Sequence, residues 1–201
     1  MRVAVVILNW NGKAFLEQFL PNVIAHSEEC TIYVADNAST DGSVIFVKEN
    51  HPKVKIIETG GNHGYAGGYN KALEHLDEDV FVLLNSDVEV SPNWVTPIVR
   101  LFEKDNSIAA CQPKILQHGN KSKFEYAGAA GGFIDKFGFP FCRGRLFETV
   151  EQDSGQYDDP REVFWATGAC MCVRSEVYKQ LGGLDGDFFA HMEEIEFCWR
   201  A

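Results

Sequence analysis

The sequence has 201 residues, with 45% hydrophobic, 12% aromatic and 23% charged side chains, a globular composition with enough apolar material for one large core. Its 18 lysines and arginines against 29 acids leave a net charge of −11. With no basic run along the chain, this argues against nucleic-acid binding and against a polybasic membrane patch. No apolar stretch approaches the roughly 18 residues that span a bilayer, and Met1–Asn9 turns polar too early for a signal peptide. Cys30, Cys111, Cys142, Cys170, Cys172 and Cys198 are scattered without a CxxC pair, which reads as free thiols in a reducing, cytoplasmic setting.

The first half alternates strands and helices. Val3–Leu8 is a continuous apolar run, the pattern of a strand buried on both faces. Over Ala14–Ile24, Phe15, Leu16, Phe19, Leu20 and Val23 recur at helical spacing. Thr31–Ala35, Val54–Ile57, Val80–Leu84 and Ile108–Cys111 read as further strands, separated by helices at Gly42–Glu49, Ala66–Leu76 and Asn93–Glu103. Such alternation with short connections implies right-handed crossovers and a mostly parallel sheet with helices on both faces. Ligands of open α/β sheets bind at the C-terminal strand ends. The polar clusters Asn9–Gly12, Asp36–Gly42 and Asn85–Asp87 each follow a strand and converge on that edge.

After position 100 the character changes. Eleven of the fifteen phenylalanines lie there, and glycine is dense between Gly128 and Gly144. Phe124–Asp135 and Val163–Arg174 read as strands, Phe137–Pro160 as a loop, and Ser175–Leu181 as a short helix stopped by Gly182-Gly183. Phe133, Phe137, Phe139 and Phe141 read as core or loop packing rather than a lipid-facing patch. Ile195–Ala201 is helical without a terminator, which predicts that the natural chain continues. No linker, repeat or low-complexity tract interrupts residues 1–201, so they read as one domain with two functional halves.

Several clusters offer chemistry, each with a bland reading beside it. Asp36 at a strand end can accept from a nucleobase imide or a ribose hydroxyl, although Asp36–Gly42 is also ordinary turn composition. A Rossmann dehydrogenase needs GxGxxG after its first strand, and Asn9-Trp10-Asn11-Gly12 stands there instead. The glycines of Asn62–Asn70 let backbone approach an anion at a helix start, or simply make a turn. Alternation puts Asn85 and Asp87 on one face, within reach of one hard divalent ion, or of nothing but a strand cap. Glu193, Glu194 and Glu196 repel one another, which raises a carboxylate pKa towards a useful base; the alternative is a solvated helix start. His191 is open as ligand, base or core residue. Trp165 stacks on a sugar or sits in the core, and Cys170 with Cys172 reads as small core residues.

The order of these clusters is more specific than any one of them. Val5–Gly12, Val34–Gly42, Asn62-x-Gly64-x-Ala66-Gly67-Gly68-x-Asn70 and Leu83-Leu84-Asn85-Ser86-Asp87 resemble the donor half of family 2 glycosyltransferases. Gly182-Gly183-Leu184-Asp185-x-x-Phe188-Phe189 and Glu193-Glu194-Ile195-Glu196-x-Cys198-Trp199-Arg200 resemble the acceptor blocks of its rhamnosyltransferase-like branch. The resemblance implies a GT-A fold: a Rossmann-like sheet whose residues 1–111 form the nucleotide-sugar donor half. Residues 112–201 would form an acceptor half with a small β region, continuing past Ala201.

The implied activity is inverting transfer from a UDP- or dTDP-linked sugar to a glycan or lipid-linked acceptor. By motif position, Asn9, Asp36, Asn37, Asp41, Asn62, Gly64, Gly67, Asn70 and Asn85 would surround the nucleotide sugar. Asp87 would hold Mg²⁺ or Mn²⁺, Glu194 stands at the family's catalytic position with Glu193 before it, and the base would be one of these two. Trp165, Gly168, His191, Trp199 and Arg200 would face the acceptor. Two departures stand out: the family's DxD is Asn85-Ser86-Asp87 here, and its Glu-Asp pair is Glu193-Glu194. The resemblance also implies a cytoplasmic protein, with peripheral membrane association through residues beyond Ala201. Two alternatives compete: a nucleotide-sugar-binding domain without transfer, and a nucleotidylyltransferase. The latter needs a basic glycine loop, where only Lys13 is present.

Overall fold

The computed structural model describes residues Met1–Ala201. Its first half is β1 (Val3–Asn9), α1 (Lys13–Ala25), β2 (Thr31–Asp36), α2 (Ser43–Asn50), β3 (Lys55–Glu58), α3 (Gly64–Leu73), β4 (Val80–Asn85) and α4 (Val95–Lys104). The second half has β5 (Ala110–Cys111), β6 (Leu116–Gln117), β7 (Asn120–Phe124), β8 (Gly132–Ile134), β9 (Pro140–Cys142), β10 (Arg145–Leu146) and β11 (Thr149–Val150). It closes with β12 (Cys170–Arg174), α5 (Ser175–Gln180), a 3₁₀ turn at Gly186–Phe188, and α6 (Glu193–Arg200).

The main sheet has the order β3-β2-β1-β4-β12-β5. The first four strands are parallel, as the alternation predicts, and β12 runs antiparallel to both β4 and β5. Alternating residues of β1 feed two cores. Val3, Val5 and Ile7 pack with α1, α2 and α4, whereas Ala4 and Val6 pack with α3, Tyr178 of α5 and Phe197 of α6. Burial on both faces is why these strands are unbroken apolar runs. Cys170 and Cys172 are free thiols inside the sheet core, as their alternation on β12 predicts.

Register sets the functional edge. Asn9 pairs with Asp36, Asp36 with Glu58, and Leu8 with Asn85. The Asn85 amide donates to the Ala169 carbonyl just before β12. Four polar strand ends and the Thr167–Ala169 loop therefore share one edge.

The second half departs from the sequence reading. Of the strand expected over Phe124–Asp135, only Phe124, which ends β7, and Gly132–Ile134 of β8 are strand, with the chain between them turning at Gly131 (φ +104°). Only Cys170–Arg174 of Val163–Arg174 is strand, because Trp165 meets Gly132 through an isolated bridge and Thr167 gives its amide to the Gln112 side chain. The loop expected over Phe137–Pro160 contains β9, β10 and β11. Strands of two or three residues are too short to show a period-two pattern. A third core of Phe124, Ala129, Ala130, Cys142, Trp165 and Ile195 holds this region against α6. Phe133 is half-buried, but Phe137, Phe139 and Phe141 are exposed, which corrects the reading of that run as packing.

Candidate active site

Two hollows open along the functional edge. The smaller, about 440 Å³, is lined by Asp36, Ser39, Thr40, Gly42, Ile45, Glu58 and Gly60. Asp36 is almost fully buried, and its carboxylate accepts from Asn9 Nδ2 at 3.0 Å and the Ser39 amide at 2.9 Å. A carboxylate has about four acceptor sites, so it retains capacity towards the groove. Asn9 is buried and orients Asp36, while its own Oδ1 has no partner. Asn37 ties β2 to α3 by donating to the Gly64 carbonyl at 2.8 Å and accepting from Thr59 Oγ1. Gly68 is required here, since a Cβ on it would lie 2.6 Å from Asn37 Nδ2 and 2.8 Å from Leu8 Cδ1.

Asp41 caps two helices at once. One carboxylate oxygen accepts from the Lys13 amide at 2.8 Å, and the other accepts from the amide and hydroxyl of Ser43. Burial alone would push its carboxyl up, but these hydrogen bonds, led by Ser43, hold it below the ordinary aspartate value. Asn62 accepts from the Gly64 amide at the start of α3.

The larger hollow is a cleft of about 660 Å³, within the size range of small-molecule sites. Its walls include Asn85 and Asp87 after β4, Thr167 and Gly168 before β12, and His191, Glu193 and Glu194 at the start of α6. Lys114, His118, Lys121, Glu89 and Glu125 close the far side. The segment entering α6 is strained, with Phe189, His191 and Met192 all at positive φ. That backbone turns the first residues of the helix into the cleft.

Glu193 is buried and Glu194 half-buried, and each has an Oε2 shielded from solvent without a hydrogen-bond partner. Burial pushes both carboxyls above the ordinary glutamate value. For Glu193 the Glu194 charge adds to the rise. For Glu194 its own amide and that of Gly168 restrain the shift. Tyr65, which lies within the Asn62–Asn70 motif, donates its hydroxyl to the Gly168 carbonyl at 2.6 Å and so fixes the peptide that faces Glu194. A Cβ on Gly168 would sit 2.7 Å from that hydroxyl.

A family-level comparison matches this chain to "Glycosyl transferase family 2" over residues 4–182. The chain belongs to glycosyl transferase family 2. It is similar to the low-salt glycan biosynthesis hexosyltransferase Agl10 of Haloferax volcanii, 26% identical over 99% of this chain and 61% of that protein. It is also similar to the N-acetylglucosaminyl-diphospho-decaprenol L-rhamnosyltransferase of Mycobacterium tuberculosis, 25% identical over 96% of this chain and 67% of that protein. Among solved structures, the Pyrobaculum calidifontis mannosyltransferase PcManGT in complex with GDP-Man and Mn²⁺ superposes with a TM-score of 0.64 at 19% identity. S. aureus TarS residues 1–349 with UDP give 0.68 at 13%. This chain spans 50% and 54% of those two structures, with 98% of itself covered, and they establish the GT-A fold.

Against that family pattern, the side chains divide. Asn85, Asp87, Gly168, His191, Glu193 and Glu194 meet in the cleft, and Asp36 lies in the adjoining groove. Asn70 turns away to join the halves, bonding to the Leu184 backbone and accepting from the Tyr178 hydroxyl. Trp165 is core, with its indole N–H on the Phe133 carbonyl. Arg200 is tied to Glu196 and to the Leu181 and Gly183 carbonyls, and exposed Trp199 meets Phe164 edge-on. No three His, Cys, Asp or Glu side chains form a self-sufficient metal site. The donors present, the Asp87 carboxylate and the Asn85 amide, are hard oxygens that suit an ion completing its shell with diphosphate and water. Tyr65 was hidden in the sequence because its role depends on a loop a hundred residues away, whereas the cleft's far wall follows from the unpredicted β6–β7 hairpin.

Proposed function

We propose that this chain is the catalytic unit of an inverting glycosyltransferase using a UDP- or dTDP-linked sugar and a glycan or lipid-linked acceptor at the cytoplasmic face of a membrane. The observation that carries the reading is the meeting of Asp87, Gly168 and Glu194, whose buried Oε2 has no partner, in one cleft, with the Asp36 groove on the same sheet edge. The base of the nucleotide would sit in that groove with its imide N–H on Asp36, and the diphosphate would lie towards Asn85 and Asp87. A divalent cation held by Asp87, when bound, would neutralise charge on the departing diphosphate.

Glu194 would accept the proton of the acceptor hydroxyl as its oxygen attacks the anomeric carbon. The bond from that carbon to the diphosphate oxygen breaks on the opposite face, the electron pair leaves with the nucleotide, and configuration inverts. Burial suits Glu194 to this work, because a desolvated carboxylate is more basic than one in water. The relatives' names support the class: one is a hexosyltransferase and another acts on a diphospho-decaprenol-linked sugar. Thermal shift against nucleoside diphosphates with and without Mn²⁺ tests the donor site. Stabilisation by about 2.7 kcal/mol is expected at roughly 100 times the dissociation constant. No shift with UDP or dTDP, on folded protein, refutes the assignment of the groove.

A further inference from the structure

The second half carries a surface that the cleft does not use. From Lys136 to Phe147 the sequence runs KFGFPFCRGRLF, with three cations and no acid in a chain of net charge −11. This stretch folds as consecutive hairpins, β8–β9 and β10–β11, joined only by Arg143-Gly144. Their turns present Phe137 at 74% exposure, Phe139 at 69% and Phe147 at 85%, with Leu146 at 68% beside the last. Side chains of this size at turn tips gain nothing from the fold, and such apolar patches mark interaction sites.

The cations lie against the aromatics. Lys136 Nζ is 4.9 Å from the Phe137 ring, and the Arg145 guanidinium is 4.1 Å from the ring of Tyr126. Asp135, the acid nearest the first turn, is committed to it by accepting from the amides of Phe137 and Phe139. Glu148 is the acid of the second turn. The patch also reaches the cleft. Tyr126, under Arg145, stands between Glu125 and Ala127, both of which line the cleft wall. The absence of a basic run along the sequence hid this arrangement, since the cations are interleaved with phenylalanines.

We propose that these two hairpin tips dock the protein on an anionic phospholipid surface, with Phe137, Phe139, Leu146 and Phe147 entering the interface and Lys136 and Arg145 meeting the headgroups. Exposed phenylalanine beside lysine and arginine is the chemistry that binds such interfaces. Across a two-fold contact the patch would meet its own positive charge, which favours an anionic lipid surface over a symmetric dimer through these tips. Docking there would bring the Glu125–Ala127 side of the cleft to the membrane.

Co-sedimentation of the intact protein with phosphatidylcholine vesicles, with and without phosphatidylglycerol, reads this binding without any turnover, so it stands apart from the proposed transfer. Binding to the anionic vesicles is expected, weakened by salt and by Lys136→Glu. The pair Phe137→Ser and Phe147→Ser should lower the partition coefficient by about tenfold or more, with the melting temperature and soluble-donor hydrolysis unchanged. Wild-type protein that ignores anionic vesicles, or binds neutral ones equally, overturns the proposal. Binding that survives the serine pair also overturns it. So does a wild-type dimer, found by light scattering, that the serine pair splits without any vesicle binding.

Discussion

Replacing Glu194 by glutamine should make the protein more stable and nearly inactive. The substitution keeps the shape of the side chain and removes a charge whose Oε2 is buried without a partner. Loss of a positioned general base costs about 10²–10⁴ in rate. At about 1.36 kcal/mol per tenfold, that is about 2.7–5.4 kcal/mol of barrier. Stability moves the other way. An uncharged amide in place of a desolvated carboxylate should gain about 1 kcal/mol at neutral pH. For a domain of this size that corresponds to a rise of about 2–4 °C in Tm.

The pH dependence follows from the same burial. Because the folded-state pKa is raised, the folded protein holds a proton that the unfolded chain releases. The resulting stability is full below the ordinary glutamate value and is lost as pH rises through the raised folded value. The gain from Glu194→Gln should therefore appear near neutrality and vanish in acid. Wild-type transfer should rise with pH through a pKa above the ordinary glutamate value, and the residual rate of the variant should not. Donor turnover over a pH series, with calorimetry on both proteins, gives all three readings. Undiminished transfer refutes the base assignment, and a lower Tm in the variant refutes the claim that burial outweighs the hydrogen bonds to this carboxylate. Glu193→Gln is the control: its carboxyl is also raised by burial, so it should give a stability gain of the same sign with a smaller loss of rate.

Other consequences are open to direct measurement. Tyr65→Phe removes the donor to the Gly168 carbonyl, which should cost about 1–3 kcal/mol in denaturant unfolding and lower kcat more than it raises KM. Asp41→Ala removes both acceptor oxygens at the starts of α1 and α2, and should cost about 0.5–2 kcal/mol at neutral pH. Since the Asp41 pKa is lowered in the folded state, that difference should shrink as pH falls through its folded value and the wild-type carboxylate protonates. Gly68→Ala places a methyl on Asn37 and Leu8 and should weaken nucleotide binding in calorimetric titration. Gly132→Ala would overlap the Trp165 indole, and should shift tryptophan fluorescence and cost about 1–3 kcal/mol.

The first half was legible because its physics is local. A strand buried on both faces must be a continuous apolar run, and the polar residue that ends it must stand at the sheet edge. The apolar runs thus place Asn9, Asp36 and Asn85 together, and the register of β1, β2 and β4 puts them there. The second half obeys no such rule. Its strands are two or three residues long and its folding is decided by contacts that no period encodes, such as the Trp165 indole lying where a Gly132 side chain would be. That close approach explains Trp165: the ring is used to hold β8 against the loop before β12, so its sequence position beside the cleft does not make it a sugar platform.

The same distinction separates the two glutamates from the residues around them. A helix N-terminus normally rewards acid, and a sequence reader expects Glu193, Glu194 and Glu196 to be solvated there. The strained backbone at Phe189, His191 and Met192 instead folds the first turn of α6 inward, while Glu196 stays outside and pairs with Arg200. Three acids in four positions therefore meet two environments. The one that pairs stabilises the helix, and the two that do not are held where burial makes them basic. That division, set by the backbone before the helix and invisible in composition, is the physical difference between a capped helix and a candidate base.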